Sequence, residues 1–221
     1  MNEFKFIHPF TSIVAGVTSS GKTEFTKLLI KNWKNLIDIK VNSLKVLWCF
    51  SEVKSIFQNN FDFVQIEFHK GIPSVEIIDG IKPNVIILDD LMDDLNQDVK
   101  NLFTKISHHR NISVVLIAQN LFNQNKQMRT ISLNSHYIIL MKGIRNNQQI
   151  EYLGRQIFAS KSKKLLNVFK HATERNFGYL IIDLHPRSND KYRLRTRIFP
   201  EELSASLINK HSFSPIFYNI D

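Results

Sequence analysis

The sequence has 221 residues, of which 43% are hydrophobic and 22% charged, with seven glycines and six prolines. This composition excludes collagen-like, mucin-like and largely disordered chains, and the length suits one α/β domain. The 29 lysines and arginines outnumber the 20 acidic residues, so the formal net charge is +9 and polyanions such as nucleic acid are favoured partners.

The N-terminal stretch MNEFKFIHPF carries an acidic residue where a signal peptide needs a basic start. No window reaches the roughly 18 apolar residues of a membrane span. We therefore expect a soluble, intracellular chain without a membrane span.

A short apolar strand at 11–16 leads into a turn rich in Gly and Ser, and amphipathic spacing predicts a helix at 23–37. The turn reads GVTSSGKT and matches G-x-x-x-x-G-K-[ST] at a strand-to-helix junction. Its glycines let the backbone wrap a phosphate, Lys22 reaches the outer phosphates, and the Thr23 hydroxyl ligates Mg²⁺. The sequence predicts a nucleotide-binding loop made of Gly16, Val17, Thr18, Ser19, Ser20, Gly21, Lys22 and Thr23.

The next elements are a strand at 45–50, a short helix at 53–59, a strand at 63–68 and a loop with Pro73. Cys49, the single cysteine, lies in the apolar run VLWCF. One cysteine excludes an intrachain disulfide and a cysteine-based zinc site, and the apolar context predicts a buried thiol.

The run NVIILDD predicts a strand at 84–90 that ends in two acidic residues. Ligands of open α/β sheets bind at the carboxyl ends of the strands. We expect Asp89 to hold Mg²⁺ and Asp90 to orient and deprotonate the attacking water. An N-cap of a helix beginning near Leu91 is the alternative for Asp90. Asp93 and Asp94 are interpreted as solvated acids facing the dipole of that helix.

A helix at 95–107 precedes a strand at 112–118, which runs into Gln119. An amide at this strand end can contact the γ-phosphate or orient water, so Gln119 is assigned a sensor role; capping the helix at 121–130 is its alternative. The adjacent His108 and His109 diverge in direction and lack an evident third ligand, which favours structural or nucleic-acid-facing histidines over a metal site.

The second half continues with a strand at 136–141, helices at 147–157 and 161–172, and apolar stretches at 178–184 and 192–199 that predict a hairpin. Basic residues concentrate here, in KSKK at 161–164 and in a run from Arg187 to Arg197. We interpret this run as a DNA-binding surface, with an ordinary solvated face as the alternative.

P-loop proteins that hydrolyse ATP in rings need a cation donated across the subunit interface. We favour Arg110, because it lies between the helix at 95–107 and the strand at 112–118. The other candidates are Arg129, Arg145 and Arg155.

Taken as a set, several stretches resemble the genome-packaging ATPases of the FtsK/HerA superfamily, in particular those of adenovirus-like viruses, virophages, adintoviruses and polintons. The resemblance covers roughly residues 10–200, and the blocks that carry it are GVTSSGKT, VLWCFSE, NVIILDDLMDD, HHRNISVVLIAQNLF, RTISLNSHYIILMK and GYLIIDLHP.

The resemblance implies a single α/β P-loop NTPase domain of the ASCE, RecA/FtsK-like type. Its mainly parallel sheet would be flanked by helices and end in a C-terminal β-hairpin, with a core at 10–200 and a loosely docked tail at 201–221. It implies an ATP- and Mg²⁺-dependent motor that threads double-stranded DNA. The motor would form a pentameric or hexameric ring at a capsid portal or vertex, in a cytoplasmic virus factory or the nucleus of a host cell. The roles of Lys22, Thr23, Asp89, Asp90 and Gln119 carry over, although the second acid of the pair is usually Glu and no accessory DNA-tracking or portal-docking domain is present.

Two other functions stay open. One is a P-loop kinase of nucleosides or nucleotides, although a carboxylate such as Asp90 beside the γ-phosphate would favour hydrolysis. The other is a DNA-binding or capsid-assembly module that holds its nucleotide without hydrolysing it. A regulatory GTPase is disfavoured, because the segment Asn125–Met128 lacks the Asp of the guanine-reading N-K-x-D.

Overall fold

The structure is a computed structural model that describes residues 4–51, 61–92, 95–121, 126–143, 147–158, 162–202 and 215–219. The predicted helix at 53–59 lies outside the described residues, as do Asp93, Asp94 and Arg145.

Strands and helices alternate along the chain. The strands are β1 (Phe6–Ile7), β2 (Thr11–Ala15), β3 (Ile37–Asp38), β4 (Leu44–Phe50), β5 (Val64–Lys70), β6 (Val85–Asp89), β7 (Ser113–Ala118), β8 (Tyr137–Met141), β9 (Tyr179–Asp183), β10 (Leu194–Thr196) and β11 (Ile216–Tyr218). The helices are α1 (Lys22–Lys31), α2 (Trp33–Leu36), α3 (Val75–Ile81), α4 (Gln97–Asn101), α5 (Ser107–His109), α6 (Lys126–Leu133), α7 (Asn147–Phe158) and α8 (Ser162–Ala172), and a π-helical segment joins α4 to α5.

A nine-stranded sheet has the order β11-β10-β9-β8-β2-β7-β6-β4-β5. Strands β8, β2, β7, β6, β4 and β5 are parallel, whereas β9, β10 and β11 continue the sheet in antiparallel pairs. The predicted hairpin at the end of the chain is therefore confirmed as β9 and β10. The central strands are buried along their whole length, as expected for a sheet covered on both faces.

Two hydrophobic cores lie on opposite faces of this sheet. One packs Ile13, Leu116 and Leu140 against α4, α6, α7 and α8, and the other packs Val14 and Ile139 against α1 and α2. Cys49 is fully buried, as predicted, and burial raises the pKa of its thiol to about 12.

The helices differ from the predicted ones in two places. The predicted helix at 23–37 is divided at Asn32, whose side chain bonds back to the Leu28 carbonyl at 3.0 Å. The loop predicted after Pro73 contains α3, which is capped by the Ser74 hydroxyl. A helix of seven residues is too short to show a clear apolar period, and Gly80 within it weakens the signal.

The expected C-terminal tail at 201–221 also includes regular structure. Residues Ile216–Tyr218 form β11, which pairs with β10 and becomes the outer strand at that side of the sheet. The Tyr218 hydroxyl additionally lies 2.8 Å from His171 Nδ1 on α8. This part of the tail is thus docked through backbone and side-chain hydrogen bonds.

The basic run is not the continuous DNA-facing surface expected from the sequence. Arg195 is 0% exposed and bonds to the Asp183 carboxylate at 2.7 Å and to the Tyr192 carbonyl at 2.7 Å. Arg193 pairs with Asp190 and also reaches the Asp183 carbonyl. The interpretation was wrong for Arg195, because a short strand buried on both faces leaves no solvated side for its basic residue.

We expect Arg195→Ala to lower the free energy of unfolding by about 3–5 kcal/mol, because Asp183 would keep a buried charge without its partner. Arg193→Ala is the matched control and should cost about 1 kcal/mol, since its ion-pair partner Asp190 is 87% exposed. Urea unfolding of both variants measures the difference, and equal losses would contradict a structural role specific to Arg195.

Candidate functional site

The predicted nucleotide-binding loop lies between β2 and α1 at the carboxyl edge of the parallel strands. Gly16 N–H donates to the Ala118 carbonyl of β7 at 3.1 Å, and Ser20 N–H donates to the Val17 carbonyl at 3.2 Å. A Cβ at Gly16 would lie 2.7 Å from the Met141 side chain, so only glycine fits this close approach. The backbone therefore curls tightly around the position in front of α1.

Two side chains of the loop present donors to its interior. The Lys22 ammonium bonds to the Gly16 and Val17 carbonyls at 2.7 and 2.9 Å. The Ser20 hydroxyl is buried and makes no hydrogen bond with the residues that the structure describes. Gly21, at φ 95°, caps α1 without a side-chain hydrogen bond, so the first amides of α1 remain directed at the loop. A loop of this kind can bind an anion.

Three strand ends bring the other predicted residues to this loop. In the sheet, β7 lies between β2 and β6, and Ala15 is level with Ala118 while Ile117 is level with Asp89. Gln119 and Asp90 follow these strands, and the Gln119 amide donates to the Asp90 carboxylate at 3.4 Å. The structure thus places Asp89, Asp90 and Gln119 at the same edge of the sheet as the loop.

The backbone at Asp90 excludes its alternative interpretation as a helix cap. Asp90 has φ 59°, and Leu91 and Met92 are not helical; α4 begins at Gln97, and Asn96 caps it. A left-handed conformation at a residue other than glycine is uncommon, and such positions concentrate at functional sites. Asp89, by contrast, is an ordinary strand residue whose side chain is buried.

Arg110 lies before β7, at the opposite edge of the sheet from the nucleotide-binding loop. Its guanidinium makes two hydrogen bonds to Asp79 on α3, at 2.6 and 3.0 Å. These bonds lower the pKa of Asp79 and raise that of Arg110. Arg110 does not contribute to the site of its own chain, and its role across an interface stays a prediction. Arg129 and Arg155 are exposed on α6 and α7.

His108 and His109 also lie at this opposite edge. His108 packs edge-on against His136, whose pKa burial lowers to about 4, with smaller contributions from nearby charges including His185. Within the described residues, no group of three or more His, Cys, Asp or Glu side chains is arranged to hold a metal ion. None of the described helices is long and apolar enough to cross a membrane.

The turn between α8 and β9 is a part of the site that the sequence did not indicate. Phe177 lies beside Gly21, and Arg175 forms an ion pair with Glu202 just behind it. The Tyr179 hydroxyl donates to the same Glu202 carboxylate at 2.7 Å. No sequence pattern predicts that a turn near residue 177 lies beside a loop at residues 16–23, because the order of the strands in the sheet brings them together.

Comparisons with solved structures identify the fold. The genome-packaging NTPase B204 of Sulfolobus turreted icosahedral virus 2, solved in complex with ATP-γ-S, matches at 14% identity with a TM-score of 0.50, over 83% of this chain and 94% of that chain. A KaiC-like protein of Pyrococcus horikoshii matches at 10% identity and TM-score 0.46, over 96% and 91% of the two chains. The ATPase DotB of Legionella pneumophila matches at 13% identity and TM-score 0.42, over 60% and 40%.

No protein-family model and no curated protein sequence matches this chain. The mainly parallel sheet, the loop between β2 and α1 and the likeness to B204 define the fold of a P-loop NTPase, as predicted. The structure therefore has the P-loop NTPase fold that the resemblance of the sequence motifs implies. At this level of identity the likeness concerns the fold, and function has to be argued from the site.

We expect Gly21→Ala to destabilise the protein by about 1–2 kcal/mol, because alanine is strained at φ 95° and its Cβ would lie 3.2 Å from the Phe177 ring. Gly80→Ala is the matched control: it lies in α3 with open space around it and should stabilise by roughly 0.5–1 kcal/mol. Thermal unfolding of both variants tests this, and an unchanged Gly21→Ala variant would argue against a strained loop.

Proposed function

We propose that this chain is an ATP-hydrolysing motor that moves double-stranded DNA into a viral capsid. The observation that carries the proposal is the meeting of the loop, Asp89, Asp90 and Gln119 at one edge of the sheet, with Gln119 bonded to Asp90. A binding loop alone serves many functions, whereas a second carboxylate held beside it provides a base for water. The fold shared with the packaging NTPase B204 supports the same proposal.

The β- and γ-phosphates of ATP would lie against the loop amides and the first turn of α1. Lys22 would exchange its two carbonyl partners for phosphate oxygens, and the buried Ser20 hydroxyl would gain the acceptor that the loop itself does not supply. For Lys22 the exchange replaces neutral acceptors by anionic ones, and hydrogen bonds to ions are the stronger kind.

The residues at this edge fit Mg²⁺. Thr23 is the second residue of α1, and Asp89 is the last residue of β6, at the same edge of the sheet as the loop. Both offer the hard oxygen ligands that Mg²⁺ prefers. When bound, Mg²⁺ would neutralise charge on the β- and γ-phosphates. Thr23 and Asp89 would hold it.

Asp90 would take the proton of the attacking water. Its left-handed backbone turns it away from the path of β6, and the Gln119 amide, at the end of the neighbouring strand, donates a hydrogen bond of 3.4 Å to its carboxylate. Gln119 would orient the water through its own carbonyl while its amide bonds to the base. The kinase alternative is disfavoured by this arrangement, because an acceptor hydroxyl would compete with an activated water.

We also propose that the motor works as a homo-oligomeric ring of five or six subunits, with a neighbour's arginine completing the site. Arg110 remains the preferred donor, and it would have to leave Asp79 to reach a neighbour's γ-phosphate. A capsid portal or vertex protein as docking partner, and a virus factory or nucleus of the host cell as location, follow from the resemblance of the sequence motifs.

The DNA-contacting surface is proposed on α7 and α8, in place of the run that contains the buried Arg195. These helices pack closely, since a Cβ at Gly154 would lie 2.9 Å from Ser162 Cα. Beside this crossing lie exposed basic side chains, namely Arg155, Lys163, Lys164 and Lys170. Contacts from such residues to phosphates are largely independent of base sequence, as a packaging motor requires.

We expect steady-state ATP hydrolysis by the purified chain to rise with double-stranded DNA and with protein concentration. Asp90→Asn should lower kcat by roughly 100-fold or more, because the base is lost while the shape is kept. Asp98→Asn, an exposed acid on α4, is the matched control and should leave hydrolysis unchanged.

Lys22→Ala should abolish hydrolysis, whereas Lys27→Ala, one turn further along α1, should retain it. Hydrolysis that survives both Lys22→Ala and Asp90→Asn would overturn the site. Transfer of phosphate to a nucleoside in place of water would favour the kinase, and ATP binding without turnover would favour the non-hydrolysing module.

Neutralising Lys163, Lys164 and Lys170 together to Gln should weaken DNA binding and reduce the slope of log affinity against log salt by about 2–3. The charge-matched control replaces the exposed Lys40, Lys70 and Lys82, which lie away from α7 and α8. Fluorescence anisotropy with a DNA duplex at several salt concentrations measures both slopes. Equal effects of the two triple variants would argue for diffuse attraction without a defined surface.

A further inference from the structure

Three histidines and one arginine converge at the edge of the sheet where the parallel strands begin, opposite the nucleotide-binding loop. His136 immediately precedes β8, His185 follows β9 by two residues, and their ring centroids lie 4.7 Å apart. His108, in α5, packs edge-on against His136 with ring centroids 5.7 Å apart. The charge of Arg187 acts on both His136 and His185. These four residues are called the amino-edge cluster below.

Main-chain amides hold two of the imidazoles in one tautomer. The Thr11 amide donates to His136 Nδ1 at 3.1 Å, and the Arg187 amide donates to His185 Nδ1 at 3.1 Å. A neutral imidazole that accepts through Nδ1 carries its proton on Nε2. Both rings therefore present an Nε2–H donor, and neither donor has a hydrogen-bond partner in the part of the chain that the structure describes.

The backbone around these two rings is fixed by the sheet. The His136 amide donates to the Thr11 carbonyl at 2.8 Å, and the Leu184 amide donates to the His136 carbonyl at 2.7 Å. In the antiparallel pair of β8 and β9, Tyr137 is level with Asp183, so the residues that flank these strand ends are neighbours. Donors held in this way lose little freedom when a ligand binds.

The tautomers favour an anion over a metal ion as the ligand. A metal ligand needs a free lone pair, but the Nδ1 lone pairs of His136 and His185 are occupied by amides and their Nε2 atoms carry protons. This agrees with the lack, among the described residues, of a group of side chains arranged to hold a metal. Imidazole N–H groups and a guanidinium are donors, so the ligand that they share has to supply acceptors.

The acid beside the cluster is already paired with other groups. Asp183 is an acid whose charge reaches both His136 and His185. Its carboxylate accepts hydrogen bonds from Arg195 at 2.7 Å and from the His185 amide at 3.0 Å. Burial lowers the pKa of His136 to about 4 and also lowers that of His185, so both rings are neutral donors at pH 7. Arg187 then supplies a positive charge that an anion can neutralise.

We infer that the amino-edge cluster binds a phosphate group through the Nε2–H donors of His136 and His185 and the guanidinium of Arg187. Hydrogen bonds to an anion are stronger than those to a neutral acceptor. A phosphate has oxygens in several directions, which suits donors from separate segments, whereas the two oxygens of a carboxylate lie in one plane. The phosphate group can belong to the DNA backbone or to a small molecule, because both present the same chemistry. The inference goes beyond the proposed function, since this edge of the sheet is opposite the nucleotide-binding loop.

Histidine signals in nuclear magnetic resonance test the inference at the site itself. Inorganic phosphate is titrated into the full chain, and the Cε1–H signals of ¹³C-labelled histidines are followed across pH. Phosphate should shift the signals of His136 and His185 and raise the pKa of both, because a nearby anion favours the charged form. The titration is repeated in Lys22→Ala, which removes a phosphate contact of the nucleotide-binding loop, and the histidine response should be the same.

Two variants remove donors from the cluster. Arg187→Gln should weaken phosphate binding about tenfold, because a charged donor to an anion is lost while the main-chain amide that bonds His185 is kept. His136→Asn should also weaken binding, since asparagine retains an acceptor for the Thr11 amide but lacks the Nε2–H donor. Lys70→Gln is the charge-matched control: Lys70 is exposed on β5, at the far side of the sheet, and this variant should bind phosphate as the wild type does.

The outcomes are distinct from those of the ATPase experiments. Unchanged signals of His136 and His185, or equal binding by the wild type and Arg187→Gln, would overturn the site. Acetate that shifts these signals as strongly as phosphate would overturn the phosphate assignment in favour of a carboxylate partner. A DNA duplex that shifts them in an Arg187-dependent way would support the inference and identify the source as the DNA backbone. A response to phosphate without a response to the duplex would support a small phosphate-bearing ligand. Loss of ATP hydrolysis in Lys22→Ala leaves all of these results unaffected.

Discussion

The hydrogen bond from the Gly16 amide to the Ala118 carbonyl connects the two halves of the site. It continues the β2–β7 ladder one residue beyond β2, so the nucleotide-binding loop starts in register with the strand that carries Gln119. On the other side of β7, register places Asp89 level with Ile117. Parallel strands end at a common edge, and residues far apart in sequence become neighbours there without specific contacts of their own.

Much of this arrangement follows from local sequence. Long apolar runs identified the central strands, because a sheet covered on both faces needs apolar residues at every strand position. Elements of few residues were harder to predict from the sequence. The helix at Val75–Ile81 was missed and the helix after Gly21 was not divided at Asn32, since an apolar period needs more than two turns to show. Edge strand β11 depends on pairing with β10, which no local pattern reports.

The residues of the site likewise divide into those that local sequence predicts and those that it does not. The placement of the loop and the acidic pair at one edge of the sheet was predictable, because both follow apolar strands, and their roles stay predictions. Arg195 was misinterpreted as a DNA contact, since sequence shows its charge while its burial against Asp183 is a property of the folded sheet. The sequence did not indicate Phe177 as a residue of the site, because its place there depends on its proximity to Gly21, more than 150 positions earlier in the chain. A residue whose partner is selected by strand order cannot be assigned from its own surroundings in sequence.

The two hydrogen bonds from Lys22 to carbonyls bear on how the loop would rearrange when a phosphate binds and leaves. Its ammonium donates hydrogen bonds to the Gly16 and Val17 carbonyls, so a phosphate bound as proposed would compete with the main chain for the same donor. When the phosphate departs, the carbonyls can take the donor back at once. In the proposed function, the loop could thereby regain its shape between turnovers without waiting for the next ligand.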